Sequence, residues 1–396
     1  MNHSSALNKF LEPDFSFLQS SALCTYPHSV ESGSRWDTYG SSSGWGSNLW
    51  FSALGEYVER KHFYLEVLPD FCARLGEVLR AAEVVDLVNA FVQTSTHATR
   101  FRIMDAMFSM TAVCRMEDYS ACHIPTALLS LTPTVQTMGD EFYPVRDTCG
   151  CSAHTTVQAA IYGAIKESME RQFLLRFWLT RKFNVNVGES EALALTQGCS
   201  EGHLYRQLSQ CGDLQILDIS DPDFPGTCFF LCYGSSVGVN GVYYCAGMSY
   251  AESRSEALRK SLVELWQTYR FMYSFNANRR SLSELKDPYL VHFFNCNKYE
   301  TFEAIQGFAS RDYVPDSGRL NVGGLIDSMR SNALGGYIYL RQIGFGVEKK
   351  FVCKFTAPRI FLHMNNAMGS NLKNDYSSRF WNEVDKNQLN NMVPFP

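Results

Sequence analysis

An α+β fold, in which mixed β-sheets pack with long helices, is predicted for this 396-residue chain by two observations. Apolar residues recur at helical spacing in three long, well-separated segments, and short β-rich runs between them alternate with Pro and Gly turns. The composition is 45% hydrophobic and 19% charged, which is typical of a globular protein and excludes disordered and collagen-like chains. Because no segment has the composition of a linker, we expect a single domain over residues 1–396.

The first half of the chain contains two of the predicted long helices. Residues 1–46 are rich in serine and lack periodicity, so we expect a flexible lead that ends in the Gly/Ser run 40–46. A first long helix is predicted over 47–62, and the stretch to residue 95 is mostly helical. Residues 100–132 mix strand-like and helical stretches, and Pro133 and Gly139 mark a loop. After a turn-rich run at 143–152, the second long helix is predicted over 154–181.

The second half alternates between strand and helix signals. Residues 214–244 predict paired strands separated by Pro and Gly turns, and the third long helix fits 252–273. Short strands are expected at 336–341 and 351–355. A polar, Asn-rich tail follows and ends in Pro394-Phe395-Pro396.

Charge and apolar patterning exclude two classes of partner. Lys and Arg number 35 against 40 Asp and Glu, and no basic tract occurs, so we expect no nucleic-acid partner. No apolar window is long enough to span a membrane, and we expect no membrane association. The start of the chain does not have the pattern of a secretory signal, and the 13 cysteines are an odd number. These features predict a reduced, cytoplasmic protein.

The three long helices carry a repeated acidic motif. Two read E-x-x-E-R, at 56–60 and 167–171, and the third reads E-x-x-Q at 264–267. Residues at i and i+3 share a helix face, so each helix presents two oxygen-bearing side chains together. Such clusters suit hard cations, above all Mg²⁺ that bridges nucleotide phosphates. A single motif of this kind is ordinarily a solvated helix face, but the threefold recurrence favours a binding site.

Other candidate motifs are weaker. Cys149, Cys151 and His154 form C-x-C-x-x-H, which could supply zinc ligands, although the spacing is unusual and buried thiols that pack a turn are the favoured interpretation. Cys228 and Cys232 lie on one face of a predicted strand and are expected in the core. No phosphate-binding loop or kinase signature is present. A Ser-His-Asp or Cys-His arrangement stays open, but it has no local signature.

The ordered set of acidic helices resembles the YcaO family, whose nucleotide site carries S-x-x-x-E-x-x-E-R, a second E-x-x-E-R and a later E-x-x-Q. The run from Ser52 to Arg60 matches the first motif at every specified position. The resemblance covers nearly the whole chain. Further runs narrow the resemblance to those family members that modify a microcin-type peptide. They lie at 142–152, 264–267, 295–300, 361–366 and 392–396.

The resemblance implies an ATP-dependent cyclodehydratase that acts on a ribosomal precursor peptide. A Ser hydroxyl or Cys thiol attacks the preceding peptide carbonyl, ATP phosphorylates the resulting oxyanion, and loss of phosphate leaves an oxazoline or thiazoline. Two alternatives stay open. Other members form thioamides or amidines, and the chain could instead be a nucleotide-binding scaffold without chemistry of its own.

The resemblance also implies site residues, within a nucleotide-binding core at 47–310 and a C-terminal region at 311–396. The magnesium ligands would be Glu56, Glu59, Glu167, Glu170 and Glu264. The nucleotide contacts would be Ser52, Arg60, Ser152, Arg171, Gln267 and Arg341, the last in an R-x-x-x-F element. The Pro396 carboxylate is expected to move the catalytic proton. Where many members read G-K-G before the first helix, this chain has Gly44-Trp45-Gly46 and lacks that lysine.

Partners are implied in the same way. The substrate would be a precursor peptide. Family members of this kind work beside a leader-peptide-binding protein related to ubiquitin-activating enzymes and, in the microcin system, a flavin-dependent dehydrogenase that oxidises azolines. Neither a second domain nor a flavin motif is visible in this chain, so both are expected to be separate chains.

Overall fold

The computed structural model describes residues 14–18, 26–33, 39–46, 48–96, 98–132, 138–278, 281–285, 288–311, 318–345 and 348–395. The predicted α+β class is confirmed. Fifteen strands are seen in these ranges: β1 Asp14–Leu18, β2 His28–Gly33, β3 Tyr39–Gly44, β4 Phe71–Ala73, β5 Phe108–Arg115, β6 Ala121–Pro125, β7 Cys151–His154, β8 Lys182–Phe183, β9 Val185–Asn186, β10 Asp213–Asp218, β11 Thr227–Gly234, β12 Tyr244–Ala251, β13 Ala309–Ser310, β14 Tyr337–Phe345 and β15 Glu348–Thr356.

Twelve α-helices are seen in the same ranges: α1 Leu49–Leu65, α2 Leu75–Val78, α3 Ala81–Thr94, α4 Arg100–Asp105, α5 Val157–Thr180, α6 Glu189–Leu195, α7 Ser200–Cys211, α8 Arg254–Ala277, α9 Pro288–Asn295, α10 Tyr299–Gln306, α11 Val322–Ser331 and α12 Asp375–Ser378. The three predicted long helices correspond to α1, α5 and α8. Helix α5 begins later than expected because His154 belongs to β7 and the Thr156 side chain caps the helix by accepting from the Ala159 N–H.

The strands form three main sheets. The chain order β1-β2-β3 gives an antiparallel meander, and the order β12-β11-β10-β9 contains a second one. The largest sheet has the order β4-β5-β14-β15-β7, with β6 paired to β5, and its described pairings are antiparallel. Strands β8 and β13 form a short parallel pair. The predicted strands at 214–244, 336–341 and 351–355 therefore exist, and β12 begins where the first prediction ended.

The Ser-rich N-terminal segment is predicted to be a flexible lead, but its described residues form strands. Strand β3 occupies most of the run 40–46 and pairs with β2, and both strands pack on α1. The serines contribute hydrogen bonds: Ser32 Oγ donates to the Ala53 carbonyl of α1, and the hydroxyls of Ser29 and Ser43 lie 2.7 Å apart. Serine-rich strands have low intrinsic β-propensity, so these contacts, rather than local preference, hold the sheet. Residues 133–137 of the loop expected between Pro133 and Gly139 lie outside the described residues.

Helix α5 passes through the interior between the sheets. Fifteen of its residues are buried, including Phe173, Leu174 and Phe177, and it contacts β7, β12 and β15. A helix that is apolar on most faces is buried on most faces. Both meanders are followed directly by a helix, α1 or α8. Across the described ranges, no helix is both long and apolar enough to cross a bilayer.

Candidate active site

The three acidic motifs meet in one place. The charge of Glu167 on α5 acts on Glu59 of α1, and the Arg171 charge acts on both Glu167 and Glu264 of α8. Glu170 interacts electrostatically with Glu167 and with Glu264. The structure therefore brings together side chains that lie more than two hundred residues apart, as the sequence predicts.

Strand peptides fix three of these carboxylates. The Ser41 N–H on β3 donates to Glu56 Oε2 at 2.9 Å, and the Met248 N–H on β12 donates to Glu264 Oε2, also at 2.9 Å. The Tyr250 N–H donates to Glu170 Oε2 at 2.6 Å. Bonds from backbone N–H groups to carboxylates are charge-assisted, so they hold these side chains in place more strongly than neutral contacts would.

Two glycines allow the first pair of these bonds. A Cβ on Gly40 would overlap the Ala53 carbonyl of α1, and a Cβ on Gly247 would overlap backbone atoms of Leu265 in α8. Each glycine directly precedes the residue whose N–H binds the helix carboxylate. The two meander–helix units therefore place Glu56 and Glu264 in the same way.

Burial and neighbouring negative charges raise the pKa of three of these carboxyl groups. Burial and the charge of Glu167 raise the pKa of Glu59 to about 8. Burial and the charge of Glu170 raise the pKa of Glu167 to about 7, although Arg171 opposes this rise. Burial likewise raises the pKa of Glu264 to about 7, again against Arg171. A bound cation would favour the ionised forms of all three groups.

The arginines of the motifs keep unused hydrogen-bonding capacity. Arg60 Nη2 lies 3.0 Å from Glu56 Oε1, and Arg171 Nη2 lies 3.8 Å from Glu167 Oε1. In the described part of the chain, Arg60 Nε and Arg171 Nη1 are buried without a hydrogen-bond partner. Buried donors of this kind are costly unless a ligand accepts from them. Guanidinium groups suit phosphate oxygens.

The donor set fits Mg²⁺ carried with a nucleotide better than a closed metal cage. Within the described ranges, no three His, Cys, Asp or Glu side chains are arranged to hold a metal ion by themselves. Mg²⁺ commonly takes only one or two carboxylates and completes its octahedron with phosphate oxygens and water. The buried carboxylates would bind the metal ion, and the unpaired guanidinium N–H groups would bind the phosphates of the nucleotide.

Of the remaining predicted residues, Gln267 contacts a residue of this cluster, whereas Ser52, Ser152 and Arg341 have other partners. Gln267 Nε2 donates to the Ser41 hydroxyl, and the buried Ser152 hydroxyl donates to the Ala160 carbonyl of α5. Ser52 is exposed on α1, and its hydroxyl lies 3.5 Å from the Asn48 carbonyl oxygen. Arg341 lies over the Tyr339 ring at 4.6 Å and donates to the Ala112 carbonyl of β5. Pro396 lies outside the described residues.

Three further residues reach the cluster without having been predicted. Ser41 binds both Glu56 and Gln267, as described above. Lys166 Nζ lies 3.6 Å from Glu170 Oε2, and the buried Lys354 donates to the Asp147 carbonyl while its charge acts on Glu59. Lys166 directly precedes the second acidic motif, and that adjacency was the one sequence signal for any of the three. The two lysines supply positive charge in a chain that lacks the lysine before the first helix.

The cysteine motif has the structure of a packed turn. Cys149 and Cys151 are buried, and Cys149 Sγ donates to Asp147 Oδ2 at 3.1 Å. Burial raises the pKa of both thiols well above its usual value, which disfavours the thiolates that zinc requires. Cys228 and Cys232 are fully buried, as expected. The twelve cysteines in the described ranges are free thiols.

The family to which known proteins of similar sequence belong agrees with this arrangement of acidic helices and arginines. The YcaO cyclodehydratase family model, described as ATP- and Mg²⁺-binding, matches residues 50–334. The microcin B17-processing protein McbD of Escherichia coli is 32% identical over 357 residues, which cover 87% of each chain. A relative that processes a microcin agrees with the earlier resemblance of the runs at 142–152 and 361–366 to family members that modify microcin-type peptides.

Solved structures give the same result. A chain of the E. coli microcin synthetase McbBCD complex superposes with a TM-score of 0.87 at 28% identity, with 96% of each chain covered. The same complex with pro-MccB17 bound gives 0.87 at 29% identity, with the same coverage. YcaO from Methanopyrus kandleri, solved with AMPPCP and Mg²⁺, shares the fold at 14% identity and a TM-score of 0.56, with 90% of this chain and 88% of that chain covered.

Proposed function

The chain belongs to the YcaO cyclodehydratase family, and from that premise we propose that it is the ATP-dependent cyclodehydratase subunit of a microcin-type synthetase. It converts Ser and Cys residues of a ribosomal precursor peptide to oxazolines and thiazolines. The observation that carries the proposal is the meeting of three acidic helices at one buried cluster beside guanidinium groups with unpaired N–H donors.

The chemistry explains why such a cluster is needed. The oxygen of an attacked peptide carbonyl is a poor leaving group, and bound Mg·ATP supplies the phosphoryl group that makes it a good one. Phosphoryl transfer depends mainly on positioning and on neutralising phosphate charge. Glu56, Glu264 and Glu170 are held by strand peptides and would place the metal, while Arg60 and Arg171 would donate to phosphate oxygens.

The remaining assignments belong to the same proposal. Glu59 and Glu167 complete the magnesium-binding set, and Gln267, Ser152, Ser52 and Arg341 are assigned to the nucleotide. Gln267 has the firmest support, because its amide meets the Ser41 hydroxyl beside Glu56. Arg341 has the weakest, because its recorded partners are Tyr339, Ala112 and its neighbour Leu340. Proton transfer by the Pro396 carboxylate stays a prediction.

We also propose the partners and the compartment. The E. coli complexes contain McbB and McbC and, in one case, the peptide pro-MccB17. By analogy, this chain would act on a precursor peptide, beside a leader-peptide-binding protein related to ubiquitin-activating enzymes and a flavin-dependent azoline dehydrogenase. Free thiols in the described ranges support a reduced cytoplasm as the place of work.

The test is ring formation with the charge of one carboxylate removed. The chain, purified with its partner subunits, should remove the mass of one water per ring from the precursor peptide when ATP and Mg²⁺ are present. Glu264→Gln keeps an oxygen for the Met248 N–H but removes the charge, so we expect the rate to fall about a hundredfold or more. Glu252→Gln, a matched change at an exposed glutamate before α8, should leave the rate unchanged.

The alternatives give different results in the same assay. If Glu264→Gln forms rings as fast as the parent, the chain is a scaffold and the catalytic assignment is wrong. A thioamide- or amidine-forming enzyme would produce a different mass change and would require a sulfide source or an amine. No loss of mass by the complete parent complex would overturn the proposal.

A further inference from the structure

The segment Asn391–Phe395 is tied down beside the acidic cluster by side chains from distant parts of the chain. Four hydrogen bonds along it are Trp178 Nε1 to the Asn391 carbonyl at 2.6 Å, the Val393 N–H to Asn366 Oδ1 at 3.0 Å, Tyr244 OH to the Pro394 carbonyl at 2.8 Å, and Tyr289 OH to the Phe395 carbonyl. Because successive backbone groups are fixed, the position of the Phe395 side chain is fixed as well.

The Phe395 ring lies between the core and Arg171. Phe395 is fully buried, and its ring centroid is 6.1 Å from that of Phe230 on β11. The guanidinium carbon of Arg171 lies 5.1 Å from the centroid of the Phe395 ring, which is a cation–π distance. A desolvated ring therefore supports a cation that belongs to the second acidic motif.

The other contacts of Arg171 do not fix its guanidinium. Nη2 is 3.8 Å from Glu167 Oε1, which exceeds the length of a hydrogen bond. Nη1 is buried and has no hydrogen-bond partner among the described residues. The aromatic ring thus supports a guanidinium whose Nη1 donors remain available to an anion.

We propose that Phe395 is a positioning residue for nucleotide binding: its ring holds the Arg171 guanidinium so that Nη1 donates to a phosphate oxygen. This inference rests on the proposed function, because it takes the ligand of the acidic cluster to be a magnesium nucleotide. It adds that a residue near the end of the sequence controls nucleotide affinity through Arg171, without contact with the nucleotide.

The same core contains a matched cation–π pair that serves as a control. The Arg181 guanidinium lies 5.1 Å from the ring of Phe308, which is also buried. Arg181 pairs with Asp385 at 3.3 Å, outside the three acidic motifs. Phe308→Leu therefore removes a similar ring and a similar cation–π contact without touching Arg171.

The experiment measures the dissociation constant of a non-hydrolysable Mg·ATP analogue for the full chain in complex with its partners. Phe395→Leu should weaken binding about tenfold, within the range of a desolvated cation–π contact, and Phe308→Leu should leave binding unchanged. In an Arg171→Gln background, Phe395→Leu should cause no further loss, because a residue that acts through Arg171 has no effect once Arg171 is gone.

Additive effects of the two substitutions, or equal affinities for Phe395→Leu and Phe308→Leu, would overturn the inference. If Phe395→Leu does not fold, Tyr289→Phe carries the test, because it removes one anchor of the segment and leaves the ring in place. It should weaken nucleotide binding about threefold, and unchanged affinity would contradict the inference. A parent complex that binds no magnesium nucleotide would instead refute the proposed function.

Discussion

Ser41 connects two of the three acidic motifs through a single residue. Its N–H binds Glu56 of α1, and its hydroxyl accepts from the Gln267 amide of α8. These helices are separated by about half of the sequence, and Ser41 belongs to neither of them. Its role is therefore to fix the distance between the first and third motifs.

The hydroxyl of Ser41 should matter for the nucleotide more than for stability. Ser41→Ala keeps the backbone bond to Glu56 and removes the bond to Gln267, so we expect nucleotide affinity to fall about three- to tenfold, the worth of one hydrogen bond. Binding of a non-hydrolysable Mg·ATP analogue measures this. Ser43→Ala, on the same strand as Ser41, removes a comparable contact with Ser29 of β2 and should leave affinity at the parental value.

The sequence predicts the acidic residues because the motifs carry their own spacing, and i, i+3 pairs share a face wherever a helix forms. Ser41 and Lys354 have no such pattern, since each reaches the cluster only through tertiary packing, whereas Lys166 lies one turn before Glu170 on α5 itself. Arg341 shows the opposite case. Its two-letter motif matches the family pattern, but its recorded partners lie along β5 and β14.

At the level of elements, the molecule contains the same unit twice. A three-stranded antiparallel meander is followed by a long helix in β1–β3 with α1 and again in β10–β12 with α8. In both units a glycine of the last strand lies against the helix backbone, and the next N–H binds a helix glutamate. The repeat that the sequence shows in its helices therefore extends to the strands before them.

These glycines should be equally intolerant of a side chain. Gly40→Ala and Gly247→Ala each force a methyl group into helix backbone, so we expect the free energy of unfolding to fall by about 1–3 kcal/mol or more. Urea denaturation measures the change. Gly76→Ala is the matched control, because no atom within 4 Å opposes its Cβ, and alanine in a helix should be neutral or stabilising. A marked difference between Gly40→Ala and Gly247→Ala would contradict the equivalence.

The helices were predictable because their apolar periodicity is long, whereas the N-terminal sheet was not. Strands β2 and β3 are rich in serine and glycine, and Val30 and Tyr39 are their single β-branched and aromatic residues, so the signals that indicate strands are sparse. They exist because α1 offers them a surface and hydrogen-bond acceptors such as the Ala53 carbonyl. Strand β12 is buried along its whole length, so it shows no alternation that would separate it from the helix that follows.

At the scale of the whole molecule, the fold concentrates acidic side chains at one location. The formal net charge is −5, and five glutamates of the three motifs surround one site. The fold brings these charges together at a cost, which is seen in the raised pKa values of Glu59, Glu167 and Glu264. Four cations, Arg60, Arg171, Lys166 and Lys354, lie at the same site, so they offset most of the charge of these glutamates.

This cost predicts how stability depends on pH. A carboxyl whose pKa is raised to about 7 or 8 holds a proton in the folded state that the unfolded chain has already lost, so stability falls as pH rises through that range. Without magnesium, we expect the melting temperature to be lower at pH 8.0 than at pH 6.5. Added Mg²⁺ with a non-hydrolysable nucleotide should raise it more at pH 8.0, because the bound cation favours the ionised carboxyls.

Thermal melts at the two pH values measure both effects. Glu59→Gln removes the group with the highest of these pKa values and should flatten the dependence in the ligand-free protein. A melting temperature that rises between pH 6.5 and pH 8.0 without ligand would contradict the assignment of the raised pKa values.

The anchoring of the segment Asn391–Phe395 also has a consequence for the order of folding. Ser41 on β3 binds Glu56, and the Phe395 ring lies against Arg171, so partners of the same site are more than three hundred residues apart in the sequence. Contacts between such distant residues close long loops, and the entropy of closing those loops must be overcome before the contacts stabilise the fold. We therefore expect this site to be among the last parts of the fold to form.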